Sequence, residues 1–177
     1  MNTIASLKLS VFETSWGWIS SAISESGLAA LTLPQQTRFR AEESLANQVG
    51  SANLLKSRND AIEKRMNEYF KGQRKSFELP LDMSLGTPFQ QAVWKATVSV
   101  PFGEQRSYSW VARKVGAPLA MRAVGSALGN NPIAIVVPCH RIVRSDGGLG
   151  GYGGGLQLKR RLLALESPGS RSVLFPD

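Results

Sequence analysis

Three short apolar runs open the chain, at residues 7–12, 16–23 and 28–33, separated by Ser15, Gly17 and the pair Ser26-Gly27. Runs of this length between turn residues predict an antiparallel meander with tight turns. The period then lengthens. Arg38–Val49 reads as a helix stopped by Gly50, and Asp60–Phe70 as another, with Ile62, Met66, Tyr69 and Phe70 on one face before Gly72. Glu42, Glu43 and Glu63 sit on the polar faces of these helices, as solvated acids do. Residues 1–80 therefore group no chemistry and are expected to form a scaffold domain.

A connection containing Pro80 follows, with the linker proper at 81–86. Thr87-Pro88-Phe89-Gln90 carries three signs of a helix start: Thr at the N-cap, Pro at the first helical position and Gln three residues after the cap. Phe89, Val93, Ala96, Thr97 and Val100 line one face until Pro101-Phe102-Gly103. Residues 107–115 and 119–129 then read as two helices joined through Gly116 and Ala117-Pro118, a helix-turn-helix layout within a second domain at 87–177. At about 100° per residue, Met121, Val124 and Leu128 share the face expected to meet the core, and Arg122, Ala123 and Ser126 share the opposite one. A solvated face ordinarily carries Glu, Lys or Gln. Side chains no larger than serine beside one arginine suit close approach to a nucleic-acid backbone, with one cation reaching into the base stack; packing against another helix is the competing reading.

After Asn131-Pro132 the apolar run 133–137 reads as a buried strand that delivers Cys139. Asn131 is either a turn residue before proline or an amide tying the second helix to that strand. Residues 146–155 form a loop with seven glycines and one aromatic, Tyr152, read as a flexible excursion or as the wall of a flat pocket; it lacks the lysine of a phosphate-binding P-loop. A last helix at 156–166 places Leu158, Leu162 and Leu165 in one stripe, with Glu166 about 40° from Leu162, so its carboxylate borders the buried face.

Composition changes the picture in two ways. The chain has 177 residues, 42% hydrophobic, enough for one good core or two small ones, and its single cysteine and single histidine exclude a disulfide framework and a structural zinc site of the cysteine and histidine type. No cofactor is expected; a catalytic metal held by carboxylates stays open from composition, although the reading as a whole predicts no metal. No basic segment followed by an apolar one opens the first 25 residues and no stretch has the length of a membrane span, so a soluble, cytoplasmic protein is expected. The formal net charge is +8. Between residues 106 and 161, Arg106, Arg113, Lys114, Arg122, Arg141, Arg144, Lys159, Arg160 and Arg161 face Asp146 alone, the footprint of a polyanion partner and of nucleic acid first.

The lone Cys139 and the lone His140 are adjacent. A thiolate is the reactive form of cysteine, and an imidazole that takes its proton, with Arg141 as a nearby cation, raises the thiolate fraction. Neighbours in a strand point to opposite faces, so the two meet directly only where the chain turns, and otherwise through water. A small buried thiol beside an ordinary imidazole is the bland alternative. Glu166 is a candidate partner for His140, giving a Cys, His and Glu relay.

Arg122-Ala123-Val124-Gly125, Asn131-Pro132, Pro138-Cys139-His140-Arg141-Ile142-Val143, the glycine loop with Tyr152 and the Leu-Leu-Ala-Leu-Glu ending at Glu166 together closely resemble the O6-alkylguanine-DNA alkyltransferases. The match is strong over residues 85–167 and general over 1–80. The resemblance implies an α/β (α+β) protein: a ribonuclease-H-like small sheet with helices, then a mostly helical, winged-helix-like domain with the helix-turn-helix. It implies direct repair of double-stranded DNA, by irreversible, stoichiometric transfer of the alkyl group of a flipped O6-alkylguanine, and of O4-alkylthymine, to Cys139. His140 would take the thiol proton through water, Glu166 would orient His140, and Asn131 would support the network. Tyr108 would donate to the purine or its phosphate, and Arg122 would fill the hole left by the base, with Ala123 and Ser126 against the DNA. Ile142, Tyr152 and Gly153 would line the base pocket, backbone groups of Cys139, Ile142 and Gly153 reading the guanine edge. The implied protein is a monomer in solution; cooperative binding along DNA stays an open alternative.

Three departures accompany the resemblance. The zinc ligands of some members are missing, and Gly153 stands where some carry serine. Relatives that sense lesions without repairing them replace the cysteine, which this chain keeps. Three competing readings are a lesion sensor, a helix-turn-helix regulator, whose major-groove contacts would need polar base-reading side chains in place of Ala123 and Ser126, and a cysteine hydrolase, which would not need the basic charge.

Overall fold

The computed structural model describes residues 6–50 and 54–167, which divide between two compact units, Met1–Leu85 with Pro132–Ala134, and Gly86–Asn131 with Ile135–Asp177. In the first, β1 (Leu7–Thr14), β2 (Gly17–Ser24) and β3 (Gly27–Leu31) pair antiparallel as expected, while β4 (Leu54–Lys56) adds in parallel to β1, giving the order β3-β2-β1-β4. Sequence pattern missed β4. It is three residues long and two of them are exposed, so it has no alternation to detect. The helices α1 (Arg38–Val49) and α2 (Asp60–Phe70) occupy the expected residues, because Thr37 and Asn59 cap them by accepting the backbone N–H groups of Arg40 and Ile62. Leu45 of α1 packs on Ala22 and Ala30 of the sheet. At the turn before β3, Gly27 has φ +137° and a Cβ there would lie 2.3 Å from the Pro80 carbonyl oxygen, so only glycine fits.

The second unit begins with α3 (Pro88–Val98), whose capping box is complete: Gln90 N–H donates to Thr87 Oγ1, and Thr87 N–H donates to Gln90 Oε1 at 2.8 Å. Trp94, fully buried, donates its indole N–H to the Ala127 carbonyl at 2.8 Å and so locks α3 to the helix-turn-helix. Two short parallel strands, β5 (Arg106–Ser107) and β6 (Ile142–Val143), bracket α4 (Tyr108–Lys114) and α5 (Met121–Gly129), and α6 (Gly155–Glu166) follows the glycine loop. Ser107 caps α4 by accepting from Trp110 N–H. The mixed α/β class is as expected. Among the described residues no helix is long and apolar enough to cross a membrane.

The expected strand at 133–137 is not one. Ile133 makes a single parallel bridge to Leu31, after which Ile135 adopts φ +70°, a left-handed conformation rare for a β-branched residue. Pro138, at φ −83° and ψ 62°, then forms a three-residue turn in which Cys139 N–H donates to the Val137 carbonyl at 2.8 Å, and Cys139–Arg141 continue as one 3-10 turn. An apolar run reports burial, not extension, and the proline supplies the bend.

Candidate active site

The turn at Pro138 separates two neighbouring side chains. Cys139 is half-buried and lines a cleft of about 590 Å³, whereas His140 is wholly buried beneath it. Successive residues of a 3-10 helix point about 120° apart, so this turn aims the thiol outward and the imidazole inward, where a strand would have set them on opposite faces of a sheet. Asn131, just past the end of α5, donates from Nδ2 to the Val137 carbonyl at 2.9 Å and to Cys139 Sγ at 3.3 Å. Of its two sequence readings, the amide tie is the one observed.

Glu166, at the end of α6, has almost no exposed surface. Its Oε1 lies 2.9 Å from His140 Nε2 and accepts from Arg141 Nη2 at 2.9 Å; its Oε2 accepts from Arg141 Nε at 2.8 Å and from Gly103 N–H at 3.2 Å. Arg141 also donates to the Val100 carbonyl. Burial by itself would raise the carboxyl pKa, but the hydrogen bonds from His140 and Arg141 outweigh it and hold the group at about 2. Burial, against the pull of Glu166, lowers the His140 pKa and keeps the ring neutral. With Nε2–H donated to Glu166, Nδ1 is the basic nitrogen, and it has no partner among the described residues.

Burial also raises the Cys139 thiol pKa, opposed first by Asn131 and then by the charge of Lys159. The cation that bears on the thiol is therefore Lys159. Arg141, expected in that role, is committed to Glu166. Lys159 and Arg141 are both buried, so neither belongs to the surface footprint in which sequence placed them. Exposed Arg113, Lys114, Arg122, Arg144, Arg160 and Arg161 remain in it. The buried stripe of α6 is correspondingly Lys159, Leu162 and Glu166, shifted one position from the leucine stripe.

The cleft is walled by Tyr108, at the start of α4, by Gly150, Tyr152 and Gly153 of the glycine loop, and by Met121 and Gly125 of α5. Met121 was expected in the core and is half exposed at this wall; Val124 and Leu128 are buried as expected, joined by Ala127. Arg122, Ala123 and Ser126 are exposed, not buried in the core against another helix. Arg122 has no ion-pair partner among the described residues. Tyr152 Oη is buried without a hydrogen-bond partner among them, and burial raises its pKa. Ile142 is buried behind the wall.

Two glycines of the loop differ in what they tolerate. A Cβ on Gly150, whose φ is +68°, would sit 2.6 Å from Tyr108 Oη and 2.8 Å from its ring, whereas one on Gly153 meets nothing within 4 Å. Gly150→Ala is expected to cost about 1–2 kcal/mol from the left-handed backbone and to displace Tyr108 from the cleft. Gly153→Ser is expected to be neutral. Urea unfolding, with the rate of Cys139 alkylation by a purine-like electrophile, checks both.

A family model described as the DNA binding domain of 6-O-methylguanine DNA methyltransferase matches residues 88–168. A Mycobacterium tuberculosis protein named methylated-DNA–protein-cysteine methyltransferase is 55% identical over 102 residues, 58% of this chain and 61% of its own length. A Bacillus subtilis protein named as the inducible form is 45% identical over 109 residues, 62% of this chain and 60% of its own. The aligned sequence thus spans about 60% of the length of these curated relatives. Structural likeness reaches further: the crystal structure of Mycobacterium tuberculosis OGT in complex with DNA matches with TM-score 0.76 and 39% identity, over 92% of this chain and 96% of that one.

Proposed function

Because the chain belongs to the 6-O-methylguanine DNA methyltransferase family, we propose that it repairs double-stranded DNA directly, by moving the alkyl group of O6-alkylguanine, and of O4-alkylthymine, onto Cys139. One observation carries this reading: the only thiol of the chain opens into a cleft large enough for a base, with the neutral His140 and the ionised Glu166 beneath it. A base within the duplex hides its O6 substituent, so the nucleotide must flip into the cleft before reaction.

In the step proposed, the thiol proton passes through water to His140 Nδ1, and Glu166 holds the resulting imidazolium. The thiolate attacks the alkyl carbon in line, so the S–C bond forms as the C–O6 bond breaks. The departing guanine anion takes a proton from the Tyr108 hydroxyl, and the His140 imidazolium returns its proton through water to the Tyr108 phenolate, so the thiol proton ends on guanine. Asn131 steadies the thiolate through its Nδ2 contact. Backbone groups of Cys139, Ile142 and Gly153 read the guanine edge, and Tyr152 walls the pocket. A thioether is not displaced under these conditions, so each chain reacts once. No cofactor takes part, and the thiol must stay reduced, which suits the cytoplasm. We read the protein as a monomer in solution.

Arg122 is assigned to the hole left by the base, with Ala123 and Ser126 against the backbone. Removing it withdraws what offsets a few kcal/mol of unstacking. Arg122→Ala is expected to slow repair of duplex roughly 10- to 100-fold, with the reaction of free O6-benzylguanine unchanged. Equal losses on both substrates would contradict the assignment.

Intact-mass spectrometry after incubation with excess duplex containing O6-methylguanine tests the function. The expected result is a gain of one methylene, ~14 Da, saturating at one per chain. Lesion-selective binding without any mass gain would instead make the protein a damage sensor.

A further inference from the structure

Among the described residues, Arg144 carries the only charge in the lining of the cleft. It directly follows β6 and closes a tight turn, in which its N–H donates to the Gly148 carbonyl at 2.7 Å and its carbonyl accepts from Gly147 N–H at 3.1 Å. The backbone at the rim is thus fixed, while the side chain is 63% exposed. Asp146 holds that side chain. Its Oδ2 accepts from Arg144 Nη2 at 2.7 Å and its Oδ1 accepts from Gly148 N–H at 2.9 Å. Gly148 leaves room for the pair, since a Cβ there would lie 3.0 Å from Asp146 Oδ1 and 3.1 Å from Arg144 Cδ. Asp146 is also the only acid between residues 106 and 161. An exposed ion pair adds little to stability, so holding the turn together is a poor account of the arrangement. The single carboxylate of a basic segment is set on the single cation of the cleft.

We infer that Arg144 receives a phosphate of the flipped nucleotide at the rim of the cleft, and that Asp146 occupies the guanidinium until that phosphate displaces it. The inference rests on the reading that a nucleotide flips into this cleft. A base that enters brings its flanking phosphates to the mouth, because sugar and backbone cannot follow it in. A guanidinium binds carboxylate and phosphate oxygens by the same charge-assisted hydrogen bonds, so the exchange replaces one such bond with another and returns the carboxylate to water. Tethering decides when the exchange happens. Asp146 lies two residues from Arg144 and is fixed by Gly148, so its effective concentration exceeds that of a phosphate passing along stacked duplex. A phosphate held at the mouth by its own inserted base competes on equal terms. The pair thereby favours the extrahelical nucleotide over undamaged backbone.

Fluorescence-anisotropy titration of the full chain tests this, in a Cys139→Ser background that prevents transfer. The probe is duplex containing O6-methylguanine, with the two phosphates flanking the lesion native or replaced, one at a time, by neutral methylphosphonate. On native duplex, adding Arg144→Ala is expected to weaken binding roughly tenfold, as for one lost charge-assisted hydrogen bond. Adding Asp146→Asn, which keeps an acceptor for Gly148 N–H, is expected to tighten it about threefold by releasing the guanidinium. At one of the two phosphates, neutralisation should weaken binding roughly tenfold with Arg144 present and less than about twofold in Arg144→Ala. Both variants break the same ion pair, so a merely structural pair would weaken binding alike in both. Equal losses in the two variants overturn the inference, and so do methylphosphonate losses that are the same with and without Arg144. Methyl gain by wild type without this coupling leaves the repair reading standing and refutes the role of Arg144. The coupling without methyl gain does the reverse, and a protein that does not bind the lesion duplex refutes both.

Discussion

Cys139→Ser is expected to abolish alkyl transfer entirely while duplex affinity stays within roughly twofold of wild type, a change of about 0.4 kcal/mol at most. Sulfur and oxygen differ here in two respects. A thiol sits close enough to neutrality for a buried imidazole to ionise it, and the resulting thiolate is a soft, strong nucleophile toward an alkyl carbon. A serine hydroxyl in the same place stays protonated, because burial already raises even the thiol, against the Asn131 amide, the Lys159 charge and the backbone N–H groups of Cys139 and His140. The fold does not depend on the sulfur, since Asn131 also donates to the Val137 carbonyl and the turn at Cys139 is held by backbone hydrogen bonds. Intact mass and fluorescence-anisotropy titration with lesion-bearing duplex, on the same preparation, separate the two effects. A serine variant that still gains mass would move the acceptor elsewhere and sink the proposed mechanism.

Glu166→Ala is expected to destabilise the protein by about 3–5 kcal/mol, because it removes one partner of a buried ion pair and leaves the Arg141 guanidinium uncompensated. Arg141 has the Val100 carbonyl to fall back on, but Nε and Nη2 lose both acceptors, as does Gly103 N–H. Thiol alkylation should slow as well, since His140 loses the carboxylate that fixes its tautomer. The folded pKa of Glu166, about 2, lies below the usual carboxylate value of 4.5, so its contribution is fully present above pH 4.5 and is lost as pH falls towards 2. That contribution is about 3 kcal/mol. His140 has the same sign: a histidine held neutral by burial stabilises above its ordinary 6.5 and loses that stabilisation as pH falls below it. Wild type should therefore weaken in acid first below pH 6.5 and again below 4.5, and Glu166→Ala should lack the second step. Urea midpoints across this range measure both, and a second step that persists in the variant would assign it to another group.

Local chemistry was legible along the chain wherever a few adjacent residues decide a conformation. The bounds of α1 and α2, the capping box at Thr87 and the helix-turn-helix follow from caps, glycines and periodicity, which act over four or five residues. The position of Glu166 on the wheel already indicated a carboxylate facing inward, and the exposed strip of Arg122, Ala123 and Ser126 stood out as too small for a solvated face. Four features were not legible. β4 exists only because β1 offers an open edge. The apolar run before Cys139 is buried without being a strand. Met121 lines the cleft as the first residue of α5, and Leu119, read as helical, lies exposed before it. Lys159 and Arg141 look like surface cations in a basic chain, and no local signal marks them as buried.

Local pattern along the chain is enough to mark the helices, the single nucleophile and the single imidazole, and the strongly basic second part. Which charges pair was settled by folding. It set Arg141 against Glu166 and Lys159 against carbonyls of β6 and the glycine loop, 8 to 17 positions away. The physical reason is range: hydrogen-bond caps and apolar periodicity are satisfied within a turn or two, whereas the cost of burying a charge is met only by partners that folding brings from elsewhere in the chain.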